Sequence, residues 1–128
     1  MTSKEFLAVV REQGEYADLD EATQVTEAVL STLGDRLQPA AADHLADQLP
    51  AEIGEFLTGV GNTGRTWGVE EFLRQVARAA AEDETAARRD AEVVLTTLGD
   101  TVSGGELNRL LSQLPSGYAE LFGHPELA

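Results

Sequence analysis

The chain has 128 residues, no cysteine and a formal net charge of −14, with 23 acidic residues against 9 basic ones. This length suits one domain, the missing cysteine excludes disulfides, thiolate metal sites and cysteine nucleophiles, and the negative charge disfavours binding to nucleic acid. Because the sequence has neither an apolar run of about 18 residues nor a secretory signal, we expect a cytoplasmic protein that does not interact with membranes.

Composition and the first residues indicate an all-helical protein. Apolar residues make up 42% of the chain but aromatic ones only 5%, and this mixture, rich in alanine, leucine and valine, favours closely packed helices. The first helix is predicted to begin after Thr2, which is spaced to form a capping box with Glu5. Its apolar face includes Phe6, and it is predicted to run to Gln13, with Gly14 ending it.

The second helix is predicted to start among the acidic residues at 18–20, because negative charge is favourable at a helix N-terminus. Val25 and Val29 lie on its apolar face. Gly34 is predicted to end this helix in the left-handed backbone conformation, which is costly for a residue with a side chain. Gly99 is predicted to end a later helix in the same way.

The sequence contains an internal repeat. Ala28 to Leu37, AVLSTLGDRL, recurs as VVLTTLGDTV at Val93 to Val102, an offset of 65 residues (94 − 29). The Gln-Leu-Pro triplet that starts at Gln48 recurs at Gln113 with the same offset. The first helices correspond at an offset of 66, so the second copy is predicted to have lost one residue in the loop after its first helix. These separate blocks indicate a duplication.

Each copy is also predicted to contain two shorter helices. One third helix begins at Pro39, whereas its counterpart begins at a capping box formed by Ser103 and Glu106. The short fourth helices have apolar anchors at i, i+3 and i+4 spacing, which are Ile53, Phe56 and Leu57 and then Tyr118, Leu121 and Phe122. We therefore predict an all-α fold of eight helices in two tandem, pseudo-symmetric four-helix halves. The halves are residues 1–58 and 70–128, packed as one compact domain around a Gly-rich linker at 59–69.

The repeated motifs also suggest a family. A Phe-Leu-x-x-Val helix, a Val-Leu-x-x-Leu-Gly helix and a Gln-Leu-Pro turn each occur twice. In this order they resemble the conserved bacterial and archaeal family called domain of unknown function 2267. The resemblance covers nearly the whole chain and implies an all-helical fold of two similar halves. It implies no activity, cofactor or catalytic residue.

No set of residues indicates catalysis. His44 lies three residues before Asp47, about one helical turn away, so a shared metal ion is one interpretation, and a solvated histidine among carboxylates is the favoured one. The acidic pairs and triplets, including residues 82–84, are predicted to be solvated helix surface, because general acid–base catalysis needs a carboxyl group in an apolar pocket. We therefore predict a protein without catalytic, metal or cofactor sites.

Five residues are candidates for contact with a partner or for the seam between the halves. Asp35 and Asp100 are repeated faithfully, and they are interpreted either as a pair of ligands or, preferably, as carboxylates that bind backbone N–H groups in the following turns. Arg74 and Arg78 belong to a basic cluster that ion pairs also explain. Trp67 is either an exposed anchor for a partner or, preferably, a cap over the seam.

For function we favour a non-enzymatic module that binds a protein partner or itself. One alternative is a small-molecule-binding protein or small enzyme that uses the seam between the halves. Another is an acidic mimic of nucleic acid. The acidic surface, with Lys4 as the one lysine, is typical of proteins adapted to high internal salt, although acidity for solubility alone is a competing explanation.

Overall fold

The computed structural model describes residues 1–59 and 64–124, and these contain eight helices and no strand. The all-helical prediction is therefore confirmed. Asn62, at the centre of the predicted linker, lies outside the described residues. The helices are α1 (Ser3–Gly14), α2 (Leu19–Arg36), α3 (Pro39–Ala46), α4 (Ala51–Thr58), α5 (Val69–Ala80), α6 (Glu84–Thr101), α7 (Gly104–Ser112) and α8 (Tyr118–Leu121).

Side chains cap the starts of α1, α2 and α6, and the capping box predicted for α1 is confirmed. Thr2 and Glu5 form both hydrogen bonds of the capping box, each with a donor–acceptor distance of 3.1 Å. The Asp18 carboxylate accepts a hydrogen bond from the Glu21 backbone N–H at 2.8 Å and so caps α2. Asp83 caps α6 in the same way, through the backbone N–H of Ala86.

The end of α1 differs from the prediction. Gly14 is the last helical residue, and Glu15 adopts the left-handed conformation with φ of 56°. A glycine is needed at position 14 for a different reason, which is that the ring of Tyr16 occupies the place where a Cβ atom on residue 14 would stand. Ala81 closes α5 in the same left-handed conformation, with φ of 55°.

The predicted role of Gly34 and Gly99 as left-handed helix ends is wrong. Both glycines are buried inside helices, and α2 and α6 continue for two further residues to Arg36 and Thr101. A Cβ atom on Gly99 would stand 3.6 Å from a methyl carbon of Leu107 and 3.6 Å from the backbone carbonyl oxygen of Phe122. These are ordinary van der Waals distances, so this position tolerates a methyl group.

Gly99→Ala is therefore expected to raise the free energy of unfolding by about 0.5–1 kcal/mol, because alanine loses less conformational entropy in a helix interior. Gly117→Ala is the matched control. Gly117 has φ of 100°, and its Cβ would stand 3.0 Å from Val69, so this change is expected to destabilise the protein by about 1 kcal/mol or more. Urea unfolding of both variants measures the difference. A loss of stability in Gly99→Ala would show that α6 packs too closely there for a methyl group.

The two 18-residue helices, α2 and α6, form the centre of the fold. They contact each other, α1 packs against both, and α5 also packs against both. The short helix α4 packs closely against α2 and α3, and smaller contacts join α8 to α6 and α3 to α7. One apolar cluster fills the interior, and its largest fully buried side chains are Tyr118, Phe6, Phe72 and Phe122. The two copies of the repeat therefore share one core.

The position where the two sequence offsets differ by one residue can be located in the structure. The backbone N–H of Tyr16 bonds the carbonyl oxygen of Arg11 at 3.0 Å, and the N–H of Glu82 bonds that of Ala77 at the same distance. Tyr16 and Glu82 thus occupy matching places after α1 and α5. The helix caps Asp18 and Asp83 also match, so Ala17 is the residue without a counterpart.

Candidate functional site

Three of the five candidate residues meet in a cleft between α2 and α5. This cleft has a volume of about 360 Å³, and its lining includes Asp35, Trp67 and Arg78. Asp100 instead lines a second cleft of about 310 Å³ between α1 and α6. Arg74 lines neither, and its guanidinium pairs with Glu71 at 2.9 Å on the surface. Asp35 and Asp100 lie in the last turns of α2 and α6, not in the turns that follow.

The backbone at Trp67 is held by side chains from both copies of the repeat. Arg36 Nε donates to the Trp67 carbonyl oxygen at 2.8 Å, and the Tyr118 hydroxyl donates to the same oxygen at 2.9 Å. The Arg36 guanidinium also lies 5.8 Å from the centre of the Tyr118 ring. Burial raises the pKa of Tyr118 to about 12, so its hydroxyl remains a donor at neutral pH. Trp67 therefore has a fixed backbone and a half-buried indole beside the cleft.

An acidic groove runs along the outer face of α2. It comprises two adjoining cavities of about 400 and 600 Å³ that share Glu27 and Ser31. In the described part of the chain, no lysine, arginine or histidine lines either cavity. The half-buried side chains of Val25 and Phe56 contribute apolar surface to the groove. Its four carboxylates belong to Glu21, Glu27, Glu55 and Glu82.

One end of the groove adjoins a buried acidic network. Asp90 is only 4% exposed, and its Oδ1 accepts a hydrogen bond from the Tyr16 hydroxyl at 2.6 Å. A hydrogen bond with Asp90, partial burial and the negative charge of Asp90 together raise the pKa of Glu82 to about 7. Arg89 contacts the carbonyl oxygen of Gly14 and lies 5.8 Å from the centre of the Tyr16 ring. Glu82 is exposed, as predicted for a solvated surface residue, but its carboxylate also contacts the buried carboxylate of Asp90, which the sequence did not predict.

Asp90 was not a candidate in the sequence analysis, although a signal for it exists. It lies three residues after Ala87 and four before Val94, both of which are fully buried. A carboxylate within an apolar stripe of a helix requires a hydrogen-bond donor in the core. Tyr16 supplies that donor from 74 positions away, and no local pattern identifies such a partner.

A third polar cluster joins α3 to α7. The Oε2 atom of Glu106, a residue that is 7% exposed, lies 2.8 Å from His44 Nε2 and 3.3 Å from Gln48 Nε2. Arg109 approaches the same His44 nitrogen at 3.2 Å. The Ser103 hydroxyl caps α7, but the Glu106 carboxylate bonds across the seam, so the predicted capping box is only half formed. In residues 1–59 and 64–124, no group of three or more histidine or acidic residues is arranged to hold a metal ion.

Comparison with known families identifies the chain. The family described as Uncharacterized conserved protein (DUF2267) matches residues 3–121, from the first residue of α1 to the last of α8. The chain belongs to this family. The match confirms the resemblance drawn from the repeated motifs. Among curated proteins, no sequence matches this DUF2267 chain.

The described surface of this DUF2267 chain has few large apolar side chains. Among the described residues, Met1 is the one large hydrophobic side chain that is exposed. No described helix has both the length and the apolar character needed to cross a membrane. Glu82 can gain or lose a proton near neutral pH at the end of the acidic groove, whereas Asp90 is enclosed beneath Tyr16. The groove therefore provides a negative surface whose charge depends on pH.

Proposed function

We propose that this DUF2267 chain is a non-enzymatic binding module, and that its partner is a protein with a basic segment that docks in the acidic groove on α2. One observation carries the proposal: four carboxylates surround a groove with half-buried apolar side chains, and no described basic residue lines it. The net charge of −14 extends the same negative potential over the rest of the surface. A cytoplasmic location fits this proposal and stays a prediction.

The chemistry of the groove specifies the partner segment. Lysine or arginine side chains would neutralise Glu21, Glu27 and Glu55, while one apolar side chain would cover Val25 and Phe56. Charge complementarity of this kind accelerates association and weakens as salt increases. A cationic ligand also favours the charged form of Glu82, whose pKa is raised to about 7. Binding should therefore release a proton, and affinity should rise as the pH increases through 7.

We also propose that the two halves, 1–58 and 70–128, are related by an approximate twofold axis. The matching contacts support this arrangement, because α1 packs on α6 of the other copy and α5 packs on α2. The α2–α5 and α1–α6 clefts place Asp35 and Asp100 in corresponding positions. Trp67 and Arg78 line only the first of these clefts. The two equivalent surfaces have therefore diverged, so a partner that contacts Trp67 and Arg78 would bind only the α2–α5 face.

The groove can be tested with a lysine-rich peptide that carries one leucine. Glu27→Gln combined with Glu55→Gln is expected to weaken binding by about tenfold. The two ion pairs lost with the peptide would together contribute about 1.4 kcal/mol of binding free energy, which equals a tenfold change in Kd. Glu12→Gln combined with Glu120→Gln removes the same charge from exposed positions outside the groove and is the matched control. Isothermal titration calorimetry measures both.

Two further results decide the proposal. Glu82→Gln is expected to abolish the dependence of affinity on pH between about pH 6 and about pH 8, since the titrating group is removed. Equal weakening by the groove and control variants would contradict a specific groove and leave only general charge attraction. Competition between this protein and DNA for the same basic partner would instead favour the nucleic-acid mimic.

A further inference from the structure

The cavity between α3 and α7 is chemically different from the acidic groove. It has a volume of about 400 Å³ and lies on the seam between the two copies of the repeat. Its apolar wall includes Ala41 and Leu110, and its polar wall includes His44, Glu106 and Arg109. Pockets of this size and mixed lining are typical of sites for small molecules.

Glu106 is a buried carboxylate with an unused oxygen. Both of its side-chain partners, His44 Nε2 and Gln48 Nε2, contact Oε2. In the described part of the chain, no donor contacts Oε1. This oxygen is not one of the enclosed, unpartnered polar atoms of the described side chains, so it remains accessible and can accept a hydrogen bond from a ligand in the cavity that Glu106 lines.

Among the residues that the structure describes, Arg109 has no acidic partner. It lies one helical turn after Glu106, yet no carboxylate of the described residues pairs with its guanidinium. Its polar contact is His44 Nε2 at 3.2 Å. That nitrogen either donates to Glu106 or accepts from Arg109, and it cannot do both. When His44 donates to Glu106, the guanidinium has all its donors available at the mouth of the cavity.

We propose that this cavity binds a small zwitterion of the amino acid class. The ligand ammonium group would donate to Glu106 Oε1, and the ligand carboxylate would accept a bidentate pair of hydrogen bonds from Arg109. Ala41 and Leu110 provide apolar surface for a short side chain. A cation alone leaves Arg109 without an acceptor, and an anion alone meets the negative charge of Glu106. The site is therefore selective for a molecule with both charges.

NMR titration of the full chain with three probes tests this site. L-Alanine is expected to shift the amide signals of α3 and α7 with a Kd below about 10 mM. Ethylamine and propionate, each of which has only one of the two charges, are expected to bind at least about tenfold more weakly. Ethylamine binding as tight as that of L-alanine would overturn the proposal, and so would the absence of shifts with L-alanine.

Matched variants assign the binding to the named groups. Arg109→Gln changes an exposed residue and is expected to weaken L-alanine binding by at least about tenfold. Arg88→Gln removes the same charge from an exposed position on α6 and is expected to leave binding unchanged. Glu106→Gln keeps the shape of the buried side chain and is expected to weaken binding as Arg109→Gln does. Retained affinity in Arg109→Gln would refute the role of the guanidinium, whatever the stability of the Glu106 variant.

Discussion

Replacing Tyr16 by phenylalanine is expected to lower the free energy of unfolding by about 2 kcal/mol. The change removes one oxygen atom and leaves the aromatic ring to pack over Gly14. It also removes the donor that contacts Asp90 Oδ1 at 2.6 Å. Because Asp90 is 4% exposed, water cannot replace that donor without opening the core. Burial raises the pKa of the Tyr16 hydroxyl, so the native protein has this donor throughout the neutral pH range. Urea unfolding measures the loss.

Tyr118→Phe provides a matched control for this prediction. It removes a hydroxyl from another buried tyrosine, but its acceptor is the neutral Trp67 carbonyl oxygen, which keeps the hydrogen bond from Arg36. We expect a loss of about 1 kcal/mol or less there, because hydrogen bonds to charged groups are roughly twice as strong. A double-mutant cycle with Asp90→Asn should assign most of the Tyr16 effect to the pair. Equal losses in the two phenylalanine variants would contradict a special role for Asp90.

Local signals in the sequence determine most of the fold. Two of these signals involve only residues within four positions of one another, namely the capping box of Thr2 with Glu5 and the acidic start of α2. Both predictions are confirmed. The apolar spacing that predicted the buried face of α2 works for the same reason, since it depends on one helix alone. Gly34 and Gly99 were misassigned because a glycine near a predicted helix end suits a cap and a buried helical position equally well. Tertiary packing decides between the two.

The polar sites depend on contacts that the sequence does not specify locally. Glu106 fits a capping box with Ser103, and its carboxylate instead bonds His44, 62 residues earlier on α3. Asp90 similarly depends on Tyr16. Trp67 was identified from its glycine-rich context, but the two donors to its carbonyl come from different copies of the repeat. The repeat locates equivalent backbone positions, and it does not identify where the side chains of the two copies have diverged.

Raising the potassium chloride concentration from about 0.01 M to about 2 M is expected to increase the melting temperature by about 5–10 °C. The net charge is −14, and within the described residues the ion pairs of arginine with a carboxylate are those of Arg74 with Glu71 and Arg88 with Glu92. Most described carboxylates therefore repel one another without a nearby cation. The Debye length falls from about 30 Å at 0.01 M to about 3 Å at 1 M, so salt screens this repulsion more in the compact state than in the unfolded chain.

This salt response separates two explanations for the acidic surface. We propose that the acidic surface is an adaptation to a cytoplasm with high salt. In that cytoplasm salt always screens the repulsion between carboxylates, so the repulsion destabilises the folded protein only slightly. A protein that is acidic only for solubility would show a melting temperature indifferent to potassium chloride. Sulfate is unsuitable, because it strengthens apolar burial in any protein.

Glu27→Gln combined with Glu55→Gln removes two neighbouring charges of the acidic groove, so this variant should start from a higher melting temperature at low salt and gain less as salt increases. A flat or falling melting curve in the native chain would remove the salt-adaptation proposal, and a normal response in the double variant would show that the groove contributes little to the repulsion.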